Sequence, residues 1–308
     1  MPNKQTLCPY LAKPLDQIDV VNDEHVLPIA IGAPKPFFVR AAESENSRFN
    51  TLIDAPFSNE PLIQFLAMRQ GVISRSGPVI AKIPATLISS GEPLTLAWSQ
   101  AGFDLKFQKP VEVDQRTGQV MAVRGYGDDA MTRALEIQRG YAKKKMKVEI
   151  GEVVSDLDST VRGQLRAGNA ILWRELFKIA YLMTVWCFQD KAIASASGEE
   201  YRRGLAQASP VIKHTTEDIP GISALGDASR HALLSVILGK KLITSVKLFG
   251  SFSAVFVTAA EGVGEEGDGA CVTIDLPTRT FSQTPALESM MKNVRQHFGQ
   301  PEAARPPA

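Results

Sequence analysis

A chain of 308 residues, 44% apolar and 22% charged, is long enough for about two domains and has the composition of a globular protein rather than a disordered or fibrous one. With a formal net charge of only +1, any polyanionic partner has to be held by local basic patches and not by an overall field. Three cysteines, Cys8, Cys187 and Cys271, are scattered without CxxC or CxxH spacing, which argues against a disulfide framework or a self-contained zinc site and fits a reducing cytoplasm.

The opening MPNKQTLCPYLAKP has no apolar core of the kind an export signal needs. Residues 1–60 are punctuated by Pro9, Pro14, Pro28, Pro34, Pro36 and Pro56. Between these breakers His25 to Ile31 reads as a strand and FFVRAA as a second strand. ESENSRFNTLIDAPF then reads as a short helix bounded by Pro56. The predicted order is hairpin, then helix.

From about residue 61 to 150 the texture is alternating strand: VIAKIPA, LTLAWS, FDLKFQ and GQVMAVRG, separated by Gly, Pro and Asp turns. A helix over Asp128 to Lys145 interrupts them, and its KKKMK end (143–147) reads as a solvated terminus favoured by the macrodipole, with phosphate contact as the competing reading. Ala170 to Phe188 is apolar around most of its circumference, with Arg174, Glu175 and Lys178 as one polar strip. Those charges leave too short an apolar run to span a bilayer, so the segment reads as a buried helix with Trp173, Phe177, Ala180 and Trp186 in the core.

HALLSVIL, KLITSVKLFG, SAVFVTAA and CVTIDLP predict a strand meander, with EGVGEEGDG as a hairpin loop too acidic to hold phosphate. His231 is expected to cap or edge a strand, and His214 and His297 to be surface residues. The tail, residues 299–308, reads as disordered. The predicted fold class is α+β: a small N-terminal module over 1–60, then a larger α+β domain over 61–298 with antiparallel strands and a buried helix.

The chemistry-bearing residues of the first sixty are Glu24, His25 and Asn46. A metal-assisted phosphodiesterase needs oxygen ligands for a hard divalent cation, a base for water, and an open coordination position. Glu24 and Asn46 offer the oxygens. His25 projects from the other side of the strand and can take a proton from water if its imidazole is neutral.

DEHVLPIAIG resembles the first half of the HNH endonuclease motif, and SENSRFNTLID is similar to its second half. The resemblance implies a ββα-metal module in which His25 is the general base, Glu24 the first metal ligand and Asn46 the second. Asn50 and Asp54 follow at helical spacing, each either a third ligand or a capping or surface residue. Arg48 is either a phosphate contact or an exposed arginine. The implied cofactor is magnesium or manganese, and the implied substrate is DNA, in a cytoplasmic protein of bacterial or phage type with no membrane partner.

The chain departs from the family at the zinc-binding pairs, which read Cys8 and Leu11, then Ala42 and Glu45. No structural zinc is therefore expected. The family's middle asparagine, expected near Phe37 or Phe38, has no counterpart between residues 23 and 45. The alternative is an HNH-like module that has lost catalysis and binds nucleic acid or protein. Bacterial relatives of this type are similar again further on, in a Lys-Ile-Ala helix (here WRELFKIAYLMTVWCF) and a late strand pair ending Leu-Phe-Gly.

Overall fold

The computed structural model describes residues 5–117, 119–125, 129–143, 150–155, 160–207, 213–215 and 226–298. It is mixed α+β with mainly antiparallel sheets. The chain divides into two compact units, one of residues 1–60, 70–77 and 168–308, the other of 61–69 and 78–167. This differs from a cut at residue 60, because the first sixty residues share a unit with the C-terminal half.

In the first unit, strand β1 (Val21–His25) pairs antiparallel with β2 (Phe38–Ala42), His25 opposite Phe38 and Val21 opposite Ala42. Helix α1 (Glu43–Phe49) follows without a break. The strand predicted over His25 to Ile31 shares only His25 with the observed one, since Pro28 fixes φ at −59° and opens a 3-10 turn over Ile29–Ile31. Gly32 closes that turn at φ +102°, where a Cβ would also lie 2.6 Å from Leu276 Cδ2. Pro56 does not end the helix either. A π-helical turn, Asn50–Asp54, carries the backbone on into Ala55–Ser58, and Pro56 follows that wider turn directly.

The long helix Asn169–Phe188 is the centre of this unit, with Phe177 and every residue from Ile179 to Met183 buried. Against it lies a six-stranded antiparallel sheet in the order Lys213–Thr215, Phe252–Ala259, Lys241–Leu248, Arg230–Leu238, Gly269–Asp275 and Thr280–Pro285. Phe177 meets Phe256 at 5.5 Å between ring centroids, and Thr184 Oγ1 lies 2.9 Å from Thr244 Oγ1. Each such fully buried large apolar side chain contributes roughly 1.5–3 kcal/mol. Of the four expected core residues, Phe177 and Ala180 are buried, while Trp173 and Trp186 are half-buried. Glu175 and Lys178, expected on a polar strip, are inside.

The meander holds for the three strands from Arg230 to Ala259 and fails at the fourth. Gly269–Asp275 returns to pair with Arg230–Leu238, so EGVGEEGDG is a crossing between unpaired strands and not a hairpin loop. Its Glu266 carboxylate accepts the Gly239 backbone N–H at 2.9 Å, so the acidity serves the turn it crosses.

The second unit has a four-stranded antiparallel sheet, ordered Val161–Gly163, Ala81–Leu87, Pro93–Ser99 and Gly102–Phe107. Ala81, Ile83, Ala85 and Leu87 are buried in strict alternation, the period-two signature visible in AKIPATL. A three-stranded sheet adds one parallel pair, Val120–Gly125 beside Ile150–Ser155, bridged in sequence by the helix Asp129–Lys143. That helix is a crossover, which antiparallel strands would not have needed. A Cβ on Gly125 would stand 2.4 Å from the Ala130 nitrogen, so only glycine admits the helix there. Lys143 ends the helix, and the rest of KKKMK, like the 299–308 tail and the side chains of His214 and His297, lies outside the described residues.

His231 corrects its expectation most sharply. Its strand has neighbours on both sides, and the imidazole is fully buried edge-on to Phe249 at 4.6 Å. Phe249 N–H donates to Nδ1 at 3.1 Å, so the proton is on Nε2, which lies 2.9 Å from the Ile31 carbonyl. Sheet and N-terminal turn are thus joined by one neutral ring. Burial pushes its pKa from 6.5 down to about 4, and protonating Nδ1 would also oppose the Phe249 N–H. Because the unfolded ring binds a proton first, this stabilisation is intact above pH 6.5 and is lost as pH falls through about 4. The shift corresponds to roughly 3 kcal/mol. His231→Gln should lower stability at pH 7 and flatten the slope between these limits, read from urea unfolding of both proteins at stepped pH.

Candidate active site

β1, α1 and the π-helical turn enclose a cavity of about 470 Å³ lined by Asn22, Asp23, Glu24, His25, Asn46, Asn50 and Asp54, closed on another side by Ser74, Arg75 and Ser76. The π turn re-phases the helix so that Asn46, Asn50 and Asp54 all reach it. Asn46 is seated by its amide, Nδ2 donating to Asn22 Oδ1 at 2.8 Å and to the Asp23 carbonyl at 3.3 Å. Its Oδ1 has no hydrogen-bond partner among the described residues.

His25 ends β1 half-buried, edge-on to Phe38 with ring centroids 6.5 Å apart. Its Nδ1 is buried with no hydrogen-bond partner among the described residues. Burial, and then the Arg75 guanidinium, hold its pKa below the usual 6.5, against the pull of Asp23. The ring is therefore neutral near pH 7, the form a general base requires. Phe37, near which the family's middle asparagine is expected, is fully buried away from the cavity, against Trp186 at 5.1 Å and Phe281 at 5.4 Å.

Arg48 does not line the cavity. Its guanidinium pairs with Glu45 Oε2 at 2.5 Å and covers the Phe49 ring at 4.3 Å. Arg75 is the arginine that does line it. Sequence reasoning missed Arg75 because it sits in a polar SRSG turn with no motif around it.

Glu24 is 3% exposed. Its Oε1 lies 2.5 Å from Lys178 Nζ on the long helix and accepts the Tyr10 hydroxyl at 2.8 Å. The same ammonium lies 2.7 Å from each Asp54 carboxylate oxygen. Burial opposes the charge on Lys178, yet Asp54, Glu24 and Glu175 outweigh it and raise its pKa. Burial, with Asp54 next, pushes the pKa of Glu175 well up. Lys178 is the residue sequence reasoning most needed. Its only signal was a charge on an otherwise apolar helix.

This arrangement does not fit a divalent cation held by Glu24. At ~4 Å from a buried ammonium and an effective dielectric of ~20, a doubly charged ion meets repulsion of roughly 8 kcal/mol, and both carboxylates that would offset it are already shared with Lys178. Among the described residues no group of three or more His, Cys, Asp or Glu side chains is arranged for a metal.

The N-terminal strap closes on the hairpin by hydrogen bonds. Gln5 grips the Arg40 backbone, Nε2 donating to its carbonyl at 2.7 Å and Oε1 accepting its N–H at 2.9 Å. Cys8 Sγ accepts the Ala42 N–H at 3.4 Å. Comparison with protein-family models, curated proteins and solved structures found no match for the chain. Among the described residues no helix is long and apolar enough to cross a membrane.

Gln5→Ala would strand two backbone groups of a partly buried strand and should cost about 1–3 kcal/mol, measured as a lower urea midpoint with an unchanged slope.

Proposed function

We propose that the protein hydrolyses phosphodiester bonds in nucleic acid, DNA being the expected substrate, from an HNH-like ββα frame with His25 as general base. The observation that carries this reading is the neutral His25 ring in one cavity with Asn46, Asn50 and Arg75. Arg75 supplies positive charge for the phosphate oxygens and the Asn50 amide, which lines the same cavity, can donate to them. A hairpin running straight into a helix, with Cys8 beside Ala42 where the family would place zinc cysteines, also supports it. Glu24 does not serve as a metal ligand while Lys178 holds it, so the chemistry assigned is a base and its water.

A second reading rests on that same Lys178–Glu24 contact: a module that binds nucleic acid and no longer cuts it.

Supercoiled plasmid incubated with magnesium, with manganese or with chelator separates the two. Wild type should nick it and His25→Ala should lose on the order of a hundredfold or more, with an unchanged melting temperature because His25 adds little core area. Binding by fluorescence anisotropy without nicking selects the second reading, and neither binding nor nicking removes both.

If His25 is the base, the acid limb of kcat/KM falls below pH 6.5, since its pKa is lowered from that value. A limb above 6.5 would assign the base elsewhere.

A further inference from the structure

Arg75 is the cation that lines the cavity, and it stands at the rim. It is exposed and, unlike Arg48, is in no ion pair among the described residues. Its turn is built to present it. Ser74 Oγ donates to the Gly77 carbonyl at 2.9 Å and accepts the Ser76 N–H at 3.3 Å, and Gly77 takes φ +115°, where a side chain would be strained. The floor of the cavity is acidic instead, lined by Glu24 and Asp54, whose side chains are 3% and 13% exposed and share one ammonium. A phosphate is therefore drawn to the rim and turned away from the floor.

Half-buried between the two, Asn46 offers an acceptor with no donor to meet it. Its amide N–H groups are committed to Asn22 and the Asp23 carbonyl, which fixes the side chain and leaves Oδ1 with no partner among the described residues. Such an oxygen is satisfied by an N–H or O–H, which the bases and sugars of nucleotides carry and a bare phosphodiester does not. The cavity volume, about 470 Å³, lies toward the lower end of pockets that enclose a whole small ligand, roughly 300–1,000 Å³. One nucleotide is a ligand of that kind, and two paired strands are not.

We propose that the cavity takes one unpaired nucleotide, so that the substrate is single-stranded nucleic acid: the phosphate lies on Arg75 and a donor of the base or sugar lies on Asn46 Oδ1. This rests on the function proposed above for the nucleic-acid class of the ligand. The two contacts are of different kinds, a cation for the charged end and a fixed neutral acceptor for the other. Phosphate alone and nucleoside alone each satisfy half of the site. In a duplex the same nucleotide is stacked and paired, and extruding it carries a cost that a single strand does not incur.

The test is fluorescence anisotropy with a labelled single-stranded DNA oligonucleotide and the blunt duplex of the same sequence. It is run on His25→Ala, so that binding is read without cleavage, and on the same protein carrying Arg75→Ala or Asn46→Ala. The single strand should bind at least about a hundredfold tighter than the duplex, and each added substitution should weaken it on the order of tenfold. Deoxyadenosine 5′-monophosphate should displace it where deoxyadenosine or inorganic phosphate at the same concentration does not. Equal affinity for the duplex, or a single strand indifferent to both substitutions, would overturn the proposal. Arg75 is exposed, so its variant reads binding in a folded protein even if Asn46→Ala disturbs the hairpin. Cleavage by wild type is scored separately. Duplex cut as fast as single strand overturns this inference and leaves hydrolysis standing, whereas a single strand bound through Arg75 and never cut upholds it and removes hydrolysis. Binding of neither nucleic acid removes both.

Discussion

One buried ammonium holds the N-terminal hairpin to the rest of its unit. Lys178 reaches from the middle of the long helix to Glu24 on β1 and to Asp54 at the end of the π turn, so three elements meet on one nitrogen. Burying a lysine and two acids is costly unless every charge is paired and hydrogen-bonded. Here the three nearest oxygens all belong to carboxylates, and Tyr10 satisfies Glu24 further. Such a cluster contributes less to net stability than to uniqueness. A hairpin rotated or slipped on the helix would leave a bare charge in the core, which costs far more than misplacing a leucine.

That constraint bears most on the hairpin and helix of the first sixty residues, a segment of a size that is marginal alone. The segment is fixed at several further points. Gln5 and Cys8 close the strap on β2, the Asp190 carboxylate accepts the Thr6 and Leu7 backbone N–H groups at 2.9 and 3.0 Å, and His231 holds the Ile31 carbonyl. Each is a polar contact with strict geometry. Together they fix the place of the segment by direction.

What could be read in the sequence was local. Pro28, Gly32 and the run FFVRAA mark the hairpin, period-two alternation marks AKIPATL, and a twenty-residue apolar stretch marks the long helix. Three kinds of error share one physical source. The His25–Ile31 strand ran through a proline that turns the backbone, and the SAVFVTAA and CVTIDLP strands were placed side by side by sequence adjacency although Gly269–Asp275 pairs three strands back, with Arg230–Leu238. The polar strip of the long helix was read without what it faces, because helical spacing gives which residues share a face and not what that face meets. The partners of Glu175 and Lys178 lie more than a hundred residues away, in a segment whose own pattern gives no hint of them. His231 failed in the same way: a lone histidine beginning an apolar strand looks peripheral until a second strand and a distant carbonyl enclose it.

The pleat of β1 links this scaffold to the candidate site. Successive side chains on a strand leave on opposite faces, so Glu24 goes to the interior ammonium while its neighbour His25 stays half-buried at the cavity. The Glu24 carboxylate is thereby held by Lys178 and Tyr10, while the His25 ring lines the cavity. A one-residue slip of β1 against β2 would invert both assignments, sending an imidazole with a depressed pKa toward Lys178 and a bare carboxylate into the cavity. The ion cluster therefore sets the register, and the register sets which of two adjacent residues can act on a ligand. Any chemistry at His25 is downstream of a contact that never touches the substrate.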